Sequence, residues 1–454
     1  MKELIERQRA YYRMGETRDI EFRVTKLKQL RDAIQSYEEQ LEAALWQDLH
    51  KSAYESYLTE ISIVLQELDA HIRHLRRWAK PHKVATPMQL FGSRSRIVCE
   101  PLGVVLIIAP WNYPVQLLMA PLIGALAAGN CVVLKPSPYT PHVSAVMADL
   151  VADVFAPEHV TVVQGGREIN QELLAERFDY LFFTGSPSLG KVVMKAAAEH
   201  LTPVTLELGG KSPCIVDQGA DIELAARRLV WGKFLNAGQT CIAPDYLLVQ
   251  SNIKAHLLER IGHYIRAFYG VQPHESPDYP RIVRVEAVDR IAGLMRSGTI
   301  IHGGEINREE RYIAPTVIDG IQPDDPVMQE EIFGPVLPVM EFHALEEAIR
   351  YVNAHEKPLA LYYFGNRTSA REVLANTTSG GACINDTIMH IANPHLPFGG
   401  VGNSGMGRYH GRDSFLTFSN RRSVLYSATR WDIPLKYPPF GSLNTLKKLL
   451  KLNR

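Results

Sequence analysis

Short apolar runs alternate with amphipathic segments along much of the chain, and this alternation constrains the fold more than any other feature. From Val104 onward, the runs "VVLIIAP", "CVVLKP", "VTVVQGG" and "YLFFTGS" are separated by segments such as "QLLMAPLIGALAAG" and "HVSAVMADLVADVF". Continuously apolar strands are typical of a parallel sheet that helices cover on both faces, because both faces of each strand are buried. We therefore predict an α/β fold with a doubly wound domain in this region.

A second alternating region follows residue 241 and includes "YLLVQ", "HLLERIGHYIRAFYG", "PVLPVMEF" and "LEEAIRYVN". A chain of 454 residues is too long for one ordinary core, so a second α/β unit is expected there. Residues 3–80 carry helical periodicity, which predicts helices lying on the larger unit. The prolines and glycines that follow predict a projecting hairpin or arm.

Charge and cysteine usage exclude several classes of protein. Lys plus Arg and Asp plus Glu both number 49, so the formal net charge is zero and no basic stripe points to nucleic acid as the principal partner. The five cysteines are odd in number and lack close pairing, which favours a reducing compartment over a disulfide framework. The charged N-terminus does not resemble a secretory signal, and no apolar stretch is long enough to span a membrane. We expect a cytoplasmic protein that acts on a small molecule.

One cysteine stands apart from the others. In "NAGQTCIAPDY", Cys241 lies between small, polar and turn-forming residues, with Gly238 before it and Pro244 after it. Such a context indicates a loop that presents the sulfur at a cleft. The local sequence is also compatible with a structural thiol. The remaining cysteines are most simply core thiols: Cys99, Cys131, Cys214 and Cys383.

Two strand ends carry groups suited to a nucleotide. In "FFTGSPSLGKVVMKAAAEH", Gly185 and Ser186 lie between an apolar strand and a helix, where backbone N–H groups can bind a pyrophosphate. An ordinary strand–helix turn without a ligand is an equally good interpretation of this pattern. Lys135 ends the run "CVVLKP" and could hold ribose hydroxyls or a phosphate, or could simply be solvated.

Three further motifs carry candidate catalytic or binding groups. Asn112 in "APWNYPVQL" is either a donor to developing negative charge or a turn asparagine that bonds its own backbone. Glu207 in "TLELGGKSP" stands in an apolar run, where a carboxylate needs a partner or has the raised pKa of a general base. In "QEEIFGPVLPV", Glu330 or Glu331 could bind sugar hydroxyls, or the pair could form a solvated acidic turn.

The order of these motifs along the chain is specific although each one is ambiguous. "PWNYP", "LKPSP", "FTGS", "LELGGKSP", "GQTC", "EEIFGP" and "LPFGGVGNSGMGRYHG" occur in the order found in aldehyde dehydrogenases, over residues 101–418. The residues of "NAGQTCIAPDY" and of the last motif most resemble those of the class 3 branch, which acts on fatty and aromatic aldehydes. The chain is thus similar to an NAD(P)-dependent oxidoreductase that converts aldehydes to carboxylic acids.

The resemblance implies an architecture and a division of the chain. It implies a Rossmann-type NAD(P)-binding domain over residues 1–79 and 100–208, and an α/β catalytic domain over residues 209–410. A small β oligomerisation arm would comprise residues 80–99 and 411–425, through which two protomers form a homodimer. Residues 426–454 would form a C-terminal tail. There, Leu446, Leu449, Leu450 and Leu452 oppose Lys447, Lys448 and Lys451, so the tail could cap the substrate tunnel, touch a membrane surface or fray in solvent.

The resemblance also implies roles for individual residues. Cys241 would be the nucleophile, Asn112 with the Cys241 backbone N–H would hold the oxyanion, and Glu207 would activate the hydrolytic water. The cofactor would be held by Trp111, Lys135, Gly185, Ser186, Glu331 and Phe333. The substrate tunnel would be lined by Tyr113, Leu117, Ile242 and Ile391. No metal ligand is assigned.

One departure from the family pattern bears on the coenzyme. Many NAD-preferring relatives carry a glutamate three residues after the lysine, where it binds the ribose 2′-hydroxyl, but this chain has Pro138. Without a carboxylate there, Lys135 could attract a 2′-phosphate, so we expect NADP to be accepted as well as NAD.

Two alternatives to aldehyde oxidation remain at this stage. A CoA-acylating aldehyde dehydrogenase would transfer the acyl group to CoA, and Glu207 argues against it because only hydrolysis needs a base. A structural protein that keeps the fold without catalysis would have no chemical need for Asn112, Glu207 and Cys241 together. Reduction of the coenzyme by a simple aldehyde, with and without CoA, distinguishes these possibilities.

Overall fold

Two large sheets, each built mainly of parallel strands, form the framework of the protein. The computed structural model describes residues 1–429, 432 and 436–451, without the side chains of residues 89 and 449–451. The strands in chain order are β1 His82–Val84, β2 Arg94–Pro101, β3 Val104–Ile108, β4 Cys131–Lys135, β5 Val160–Val162, β6 Tyr180–Gly185, β7 Val204–Leu208, β8 Pro213–Val216, β9 Tyr246–Gln250, β10 Thr299–His302, β11 Ile306–Asn307, β12 Tyr312–Ile313, β13 Thr316–Asp319, β14 Val336–Phe342, β15 Ala360–Phe364, β16 Gly381–Ile384, β17 Gly405–Met406 and β18 Ser419–Tyr426.

Helices cover both faces of these sheets. In chain order they are α1 Lys2–Met14, α2 Ile20–Ser36, α3 Glu38–Leu49, α4 Ala53–Ser56, α5 Ser62–Trp78, α6 Gln116–Ala128, α7 Pro141–Val154, α8 Arg167–Leu174, α9 Pro187–Ala198, α10 Ile222–Phe234, α11 Lys254–Tyr269, α12 Val285–Leu294, α13 Pro326–Gln329, α14 Leu345–Asn353, α15 Arg367–Asn376, α16 Arg412–Thr417 and α17 Leu443–Lys451. Within the described ranges, no helix is long and apolar enough to cross a bilayer.

The first sheet has the strand order β17-β7-β6-β3-β4-β5. Its strands pair in parallel except β17, which runs antiparallel to β7. The chain proceeds from β3 outward through β4 and β5, then returns to the other side of β3 as β6. This reversal of direction creates a crevice outside the carboxyl ends of β3 and β6, where open α/β sheets bind ligands.

The second sheet has the order β10-β13-β14-β9-β8-β15-β16, and all its pairs are parallel except β10 with β13. Its central strands are fully buried, as the apolar runs of the second half of the sequence require. The predicted α/β architecture with two parallel units is confirmed.

Helix α6 is buried along its whole length between the first sheet and the amino-terminal helices. Helices α2 and α5 pack directly against it, which accounts for its lack of a polar face. At Gly124 a Cβ atom would lie 2.7 Å from the Cβ of Ser414, so α16 approaches α6 too closely for a larger residue. Because α6 starts just after the "PWNYP" motif, its packing holds that motif in place.

Strands β1, β2 and β18 form a separate antiparallel sheet, in which β1 and β2 pair as a hairpin. The second arm segment differs from the prediction. Residues 411–418 do not continue a strand, since Arg412–Thr417 form α16 and β18 begins only at Ser419. The reason is tertiary, because Ser414, Phe415 and Phe418 bury their side chains in the main core.

The predicted two-sided tail helix falls only partly within the described residues. Helix α17 is present and Leu446 is exposed, whereas Leu452 and the side chains of residues 449–451 lie outside the described part of the chain.

Candidate active site

The carboxyl edge of the first sheet brings together most of the residues that the motifs single out. Trp111 and Asn112 follow β3, Lys135 ends β4, Gly185 ends β6, and Glu207 lies in β7. These strands are neighbours in one parallel sheet, so their ends share one edge. The sequence motifs are therefore brought together by topology although they span about a hundred residues.

Cys241 lies in a loop between α10 and β9, and its backbone conformation is unusual. Asn236 and Ala237 have φ angles of 52° and 51°, and Gly238 has φ 73°. A Cβ atom on Gly238 would lie 2.2 Å from the carbonyl oxygen of Gly334, so only glycine fits there. Residues 235–240 are buried while Cys241 is partly exposed. The loop is packed as a rigid support that leaves the sulfur at a surface of the cleft.

Asn112 is buried, and its side chain contacts the cysteine loop rather than its own turn. Its Nδ2 donates a hydrogen bond to the carbonyl oxygen of Gln239 at 3.0 Å. Its own backbone carbonyl accepts from Nδ2 of Asn236 at 2.8 Å. The turn-asparagine interpretation is therefore wrong. The bond to Gln239, two residues before Cys241, fixes the amide and leaves a second N–H on Nδ2 for another acceptor.

A buried ion pair, which the sequence patterns did not reveal, supports Asn112. Nζ of Lys51 lies 2.6 Å from Oε1 of Glu60, both side chains are fully buried, and Nζ also donates to the Asn112 carbonyl at 3.3 Å. Oε2 of Glu60 accepts from the backbone N–H of Val115 at 2.8 Å, at the start of α6. Lys51 and Glu60 lie in a stretch with the periodicity of solvated amphipathic helices. No local feature of the sequence therefore indicated that they are buried.

The thiol of Cys241 is protonated in this environment. Burial, aided by the nearby carboxylates of Glu331 and Glu207, raises the pKa of Cys241 to about 12, although the backbone N–H groups of Cys241 and Ile242 act in the opposite direction. Attack by this sulfur requires a base or a nearby positive charge.

Glu207 is buried at 3 % exposure, and neither carboxylate oxygen has a hydrogen-bond partner among the described residues. Burial raises the pKa of Glu207 well above its ordinary value, and the charge of Arg408 only partly opposes this shift. A Cβ atom on Gly399 would lie 2.9 Å from Oε1, so glycine keeps the space beside this oxygen open. An unpartnered buried carboxyl with a raised pKa has the properties of a general base.

Two aromatic side chains from different sheets meet in the cleft. The rings of Trp111 and Phe333 are edge to face with centroids 5.4 Å apart. Phe333 has a φ angle of 48°, an uncommon conformation for a bulky residue. The two rings provide an apolar wall suited to a flat aromatic group.

The neighbouring acids Glu330 and Glu331 have different environments. Glu330 is exposed and lies 2.9 Å from Arg290 in a surface ion pair, which matches the solvated interpretation. Glu331 turns inward, and a Cβ atom on Gly209 would lie 2.0 Å from its Oε2. Burial and the charge of Asp245 raise the pKa of Glu331 to about 8. Of the two acids, Glu331 is the one that faces the cleft.

The crevice residues fit a dinucleotide. Lys135 is 1 % exposed, so it is not a solvated lysine, and burial lowers its pKa to about 8. Its Nζ donates to the carbonyl of Pro136 at 2.7 Å and keeps further donors free. Ser186 caps α9 by accepting from the backbone N–H of Leu189 at 3.4 Å. A Cβ on Gly190 would lie 2.7 Å from Leu208, so α9 packs tightly on β7, as helices do in dinucleotide-binding folds.

A cavity of about 340 Å³ opens at Cys241. All four predicted tunnel residues lie on its wall: Tyr113, Leu117, Ile242 and Ile391. The hydroxyl of Tyr113 is hydrogen-bonded to Thr240 at 2.6 Å, so this side chain presents its ring to the cavity. Leu58 and Thr59, from a π-helical turn before α5, also line the cavity and were not predicted.

Comparison with known proteins decides the family. Residues 2–424 match the model of the "Aldehyde dehydrogenase family". The chain belongs to the aldehyde dehydrogenase family.

Close relatives of this aldehyde dehydrogenase span almost its whole length. The 4,4′-diaponeurosporen-aldehyde dehydrogenase of Staphylococcus aureus is 47% identical over 98% of this chain and 97% of its own. The dimeric NADP-preferring aldehyde dehydrogenase of Rattus norvegicus is 46% identical over 97% of this chain and 98% of its own. A substrate-bound structure of Staphylococcus aureus AldH superposes with a TM-score of 0.97 at 45% identity, covering 99% of both chains. The predicted similarity to the class 3 branch is confirmed, and the protein is an oxidoreductase that uses NAD or NADP to oxidise aldehydes.

Proposed function

We propose that this aldehyde dehydrogenase oxidises medium- to long-chain aliphatic or aromatic aldehydes to carboxylic acids. The observation that carries the proposal is the cavity at Cys241, whose wall is mostly apolar. Besides the tunnel residues named above, its apolar members include Leu58, Ile63, Ala120, Trp231, Ile388 and Phe398. A volume of about 340 Å³ lies in the range of small-molecule sites. Acetaldehyde would leave most of this apolar surface uncovered, so larger substrates gain more from burial.

The first half of the reaction takes place at Cys241. Its sulfur loses a proton and forms a bond to the carbonyl carbon, and the electron pair of the C=O bond moves to oxygen to give a thiohemiacetal. The free N–H of Asn112 and the backbone N–H of Cys241 stabilise the negative oxygen. A bound oxidised nicotinamide coenzyme supplies the hydride acceptor and a positive charge that favours the thiolate.

The second half of the reaction needs Glu207. Loss of hydride from the thiohemiacetal carbon leaves a thioester on Cys241. A carboxylate oxygen of Glu207 takes a proton from water, the water oxygen bonds to the acyl carbon, and the carbon–sulfur bond breaks. Overall, one aldehyde, one water and NAD(P)⁺ give one carboxylic acid, NAD(P)H and one proton. The buried base also disfavours a CoA-acylating activity, which has no use for it.

The family resemblance implies the coenzyme roles, and the positions of the crevice residues support them. In this proposal Lys135 contacts the adenosine ribose, Gly185 and Ser186 the pyrophosphate, and Glu331 the nicotinamide ribose. Trp111 and Phe333 then form the wall against the nicotinamide ring. Pro138 is exposed next to Lys135 and brings no carboxylate, so a 2′-phosphate is tolerated. The rat relative is named as NADP-preferring, which supports this inference.

A homodimer is part of the same proposal. Strand β18 is an edge of the arm sheet, and its free edge has no strand partner within the described ranges. Leu425 and Tyr426 are exposed at its end. An eight-residue edge of this kind is well suited to pair with another chain. The rat relative is named as dimeric, and light scattering after size-exclusion chromatography tests the state of this chain.

A substrate panel tests the proposed activity. We expect kcat/KM to rise from acetaldehyde to dodecanal, hexadecanal or benzaldehyde, with both NAD and NADP and without CoA. Cys241→Ala should abolish aldehyde-dependent coenzyme reduction. Higher efficiency with acetaldehyde than with every larger aldehyde would refute the substrate class, and activity that survives in the alanine variant would refute the mechanism.

A further inference from the structure

A second cavity of about 550 Å³ forms a surface groove beside the apolar cavity. We call it the arginine groove, because Arg73, Arg77 and Arg412 lie on its wall. The other lining residues include His74, His395, Trp78, Asp69 and Asp413. None of the catalytic or coenzyme residues lies in this groove, so the reaction as described above leaves it without a role.

Three chain segments run from the apolar cavity into the arginine groove. On α5, Gln66 lines both spaces, and Arg73 and Arg77 follow it on the same face of the helix. In the segment before β17, Pro394 lines both spaces. His410 lines the cavity, and Arg412 lines the groove two residues later. The two spaces therefore adjoin, with Gln66 and Pro394 on the wall of both.

The groove has an excess of positive charge. Arg73, Arg77 and Arg412 are exposed, and none of them forms an ion pair with any residue of the described ranges. Of the two carboxylates in the lining, Asp69 lies 3.3 Å from Arg31 outside the groove, which leaves Asp413 facing the three arginines.

The electrostatic environment of His74 agrees with this charge excess. Burial and the neighbouring positive charges of Arg77 and Arg73 lower the pKa of His74. These cations are thus close enough to one another to act on a common site, and an anion in the groove would relieve their mutual repulsion.

The junction between cavity and groove separates apolar from charged surface. Glu67 lies at this junction, where its Oε1 accepts from the backbone N–H of Gly411 at 2.7 Å. A negative charge inside the cavity would be disfavoured by this carboxylate and by the apolar wall. Beyond the junction, the guanidinium groups offer paired N–H donors that match a carboxylate.

We propose that the arginine groove binds the distal carboxylate of ω-oxo fatty acids, whose aldehyde end reaches Cys241 through the apolar cavity. The inference rests on the proposed function of Cys241. Along α5, Arg73 lies about 10 Å and Arg77 about 16 Å beyond Gln66 at 1.5 Å per residue. At about 1.2 Å per bond, an extended chain of twelve carbons spans about 13 Å and one of eight carbons about 8 Å, so only the longer chain covers the rise from Gln66 to Arg73.

The test compares 12-oxododecanoate with its methyl ester, which has the same chain without the charge. With the wild-type enzyme at low salt, we expect kcat/KM to be at least fivefold higher for the acid than for the ester, with most of the difference in KM. The ratio should be smaller for 8-oxooctanoate and its ester, because the shorter chain does not reach the arginines. High salt should lower the ratio, since the arginines are exposed.

Variants then assign the effect to the groove. The triple variant Arg73→Gln, Arg77→Gln, Arg412→Gln should bring the acid-to-ester ratio close to one while activity on the ester stays unchanged, which also shows that the variant is folded. Arg371→Gln removes an exposed arginine on α15 that has no ion pair within the described ranges, and it should leave the ratio as in wild type.

Two outcomes overturn the inference. One is a wild-type ratio near one for the twelve-carbon pair, and the other is a triple variant that keeps the wild-type ratio. If wild type oxidises neither compound nor dodecanal, the proposed function fails instead. Activity on the ester and dodecanal without a charge effect refutes the groove alone.

Discussion

Replacement of Glu207 by glutamine should separate the two halves of the reaction. The amide has the same shape as the carboxyl group, and neither carboxylate oxygen has a hydrogen-bond partner to lose. Thioester formation does not use this side chain, whereas hydrolysis loses its base. Since a positioned base contributes about 10²- to 10⁴-fold, we expect the hydrolytic step to slow by that factor, or about 3 to 5 kcal/mol in its barrier.

Rapid mixing with saturating aldehyde and coenzyme measures both halves in one experiment. Glu207→Gln should release about one equivalent of reduced coenzyme per active site in a fast phase, followed by a very slow steady state. Hydroxylamine attacks a thioester without needing a protein base, so it should restore turnover. Because burial raises the pKa of Glu207, the folded state disfavours the carboxylate form that the unfolded chain adopts at neutral pH, and this lowers the stability of the wild type. The melting temperature of the neutral glutamine variant should therefore equal or exceed that of wild type.

The control is Glu372→Gln, which changes an exposed carboxylate on α15 and should leave both kinetic phases unaltered. A steady-state rate of Glu207→Gln within tenfold of wild type would show that another group activates water. Loss of the fast phase together with the slow one would show that Glu207 acts before the thioester forms. Either result would refute the assignment of this residue to hydrolysis.

Three other changes probe the site. Asn112→Ala should lower kcat by about 10²- to 10³-fold through loss of an oxyanion donor, and a kcat within threefold of wild type would exclude that role. Burial raises the pKa of Glu55 from 4.5 to about 7, so between these pH values the folded state keeps a proton that the unfolded chain has lost. The free energy of unfolding should therefore fall as the pH rises from 4.5 to 7, by about 3 kcal/mol in all. Urea unfolding at pH 5, 6, 7 and 8 should show that Glu55→Gln removes this fall, and an unchanged slope would contradict the assignment. Pro138→Glu places a carboxylate near the coenzyme ribose and should lower kcat/KM for NADP relative to NAD by about tenfold or more, whereas an unchanged ratio would place the 2′-phosphate elsewhere.

The sequence alone predicted the elements that depend on local pattern. The run "VVLIIAP" and its counterparts became parallel strands because an uninterrupted apolar strand has to be buried on both faces. The small and turn-forming residues around Cys241 indicated a loop, and the loop exists because Gly238 adopts a positive φ angle in close contact with Gly334. Four of the motifs that indicated the family, "PWNYP", "LKPSP", "FTGS" and "LELGGKSP", lie at the ends of β3, β4, β6 and β7.

Segment boundaries already depended on more than local pattern. Residues 412–417 were predicted as part of an arm strand, yet they form a helix. Phe415 is buried there in a core formed by residues that are distant in the sequence. Likewise, nothing near Lys51 or Glu60 distinguishes them from surface charges, and only the packing of α6 buries them together.

Tertiary structure determined the pKa shifts of Cys241 and Glu207 and the formation of the arginine groove. A carboxyl or thiol has an ordinary pKa in any short peptide, and the shifts of Cys241 and Glu207 arise from the loss of water when distant segments pack around them. The arginine groove joins α5 to two segments that follow it by more than three hundred residues, the one before β17 and α16. Local sequence therefore determined which chemical groups this protein carries. Long-range packing determined which of these groups are desolvated, which are charged and which can reach the same substrate.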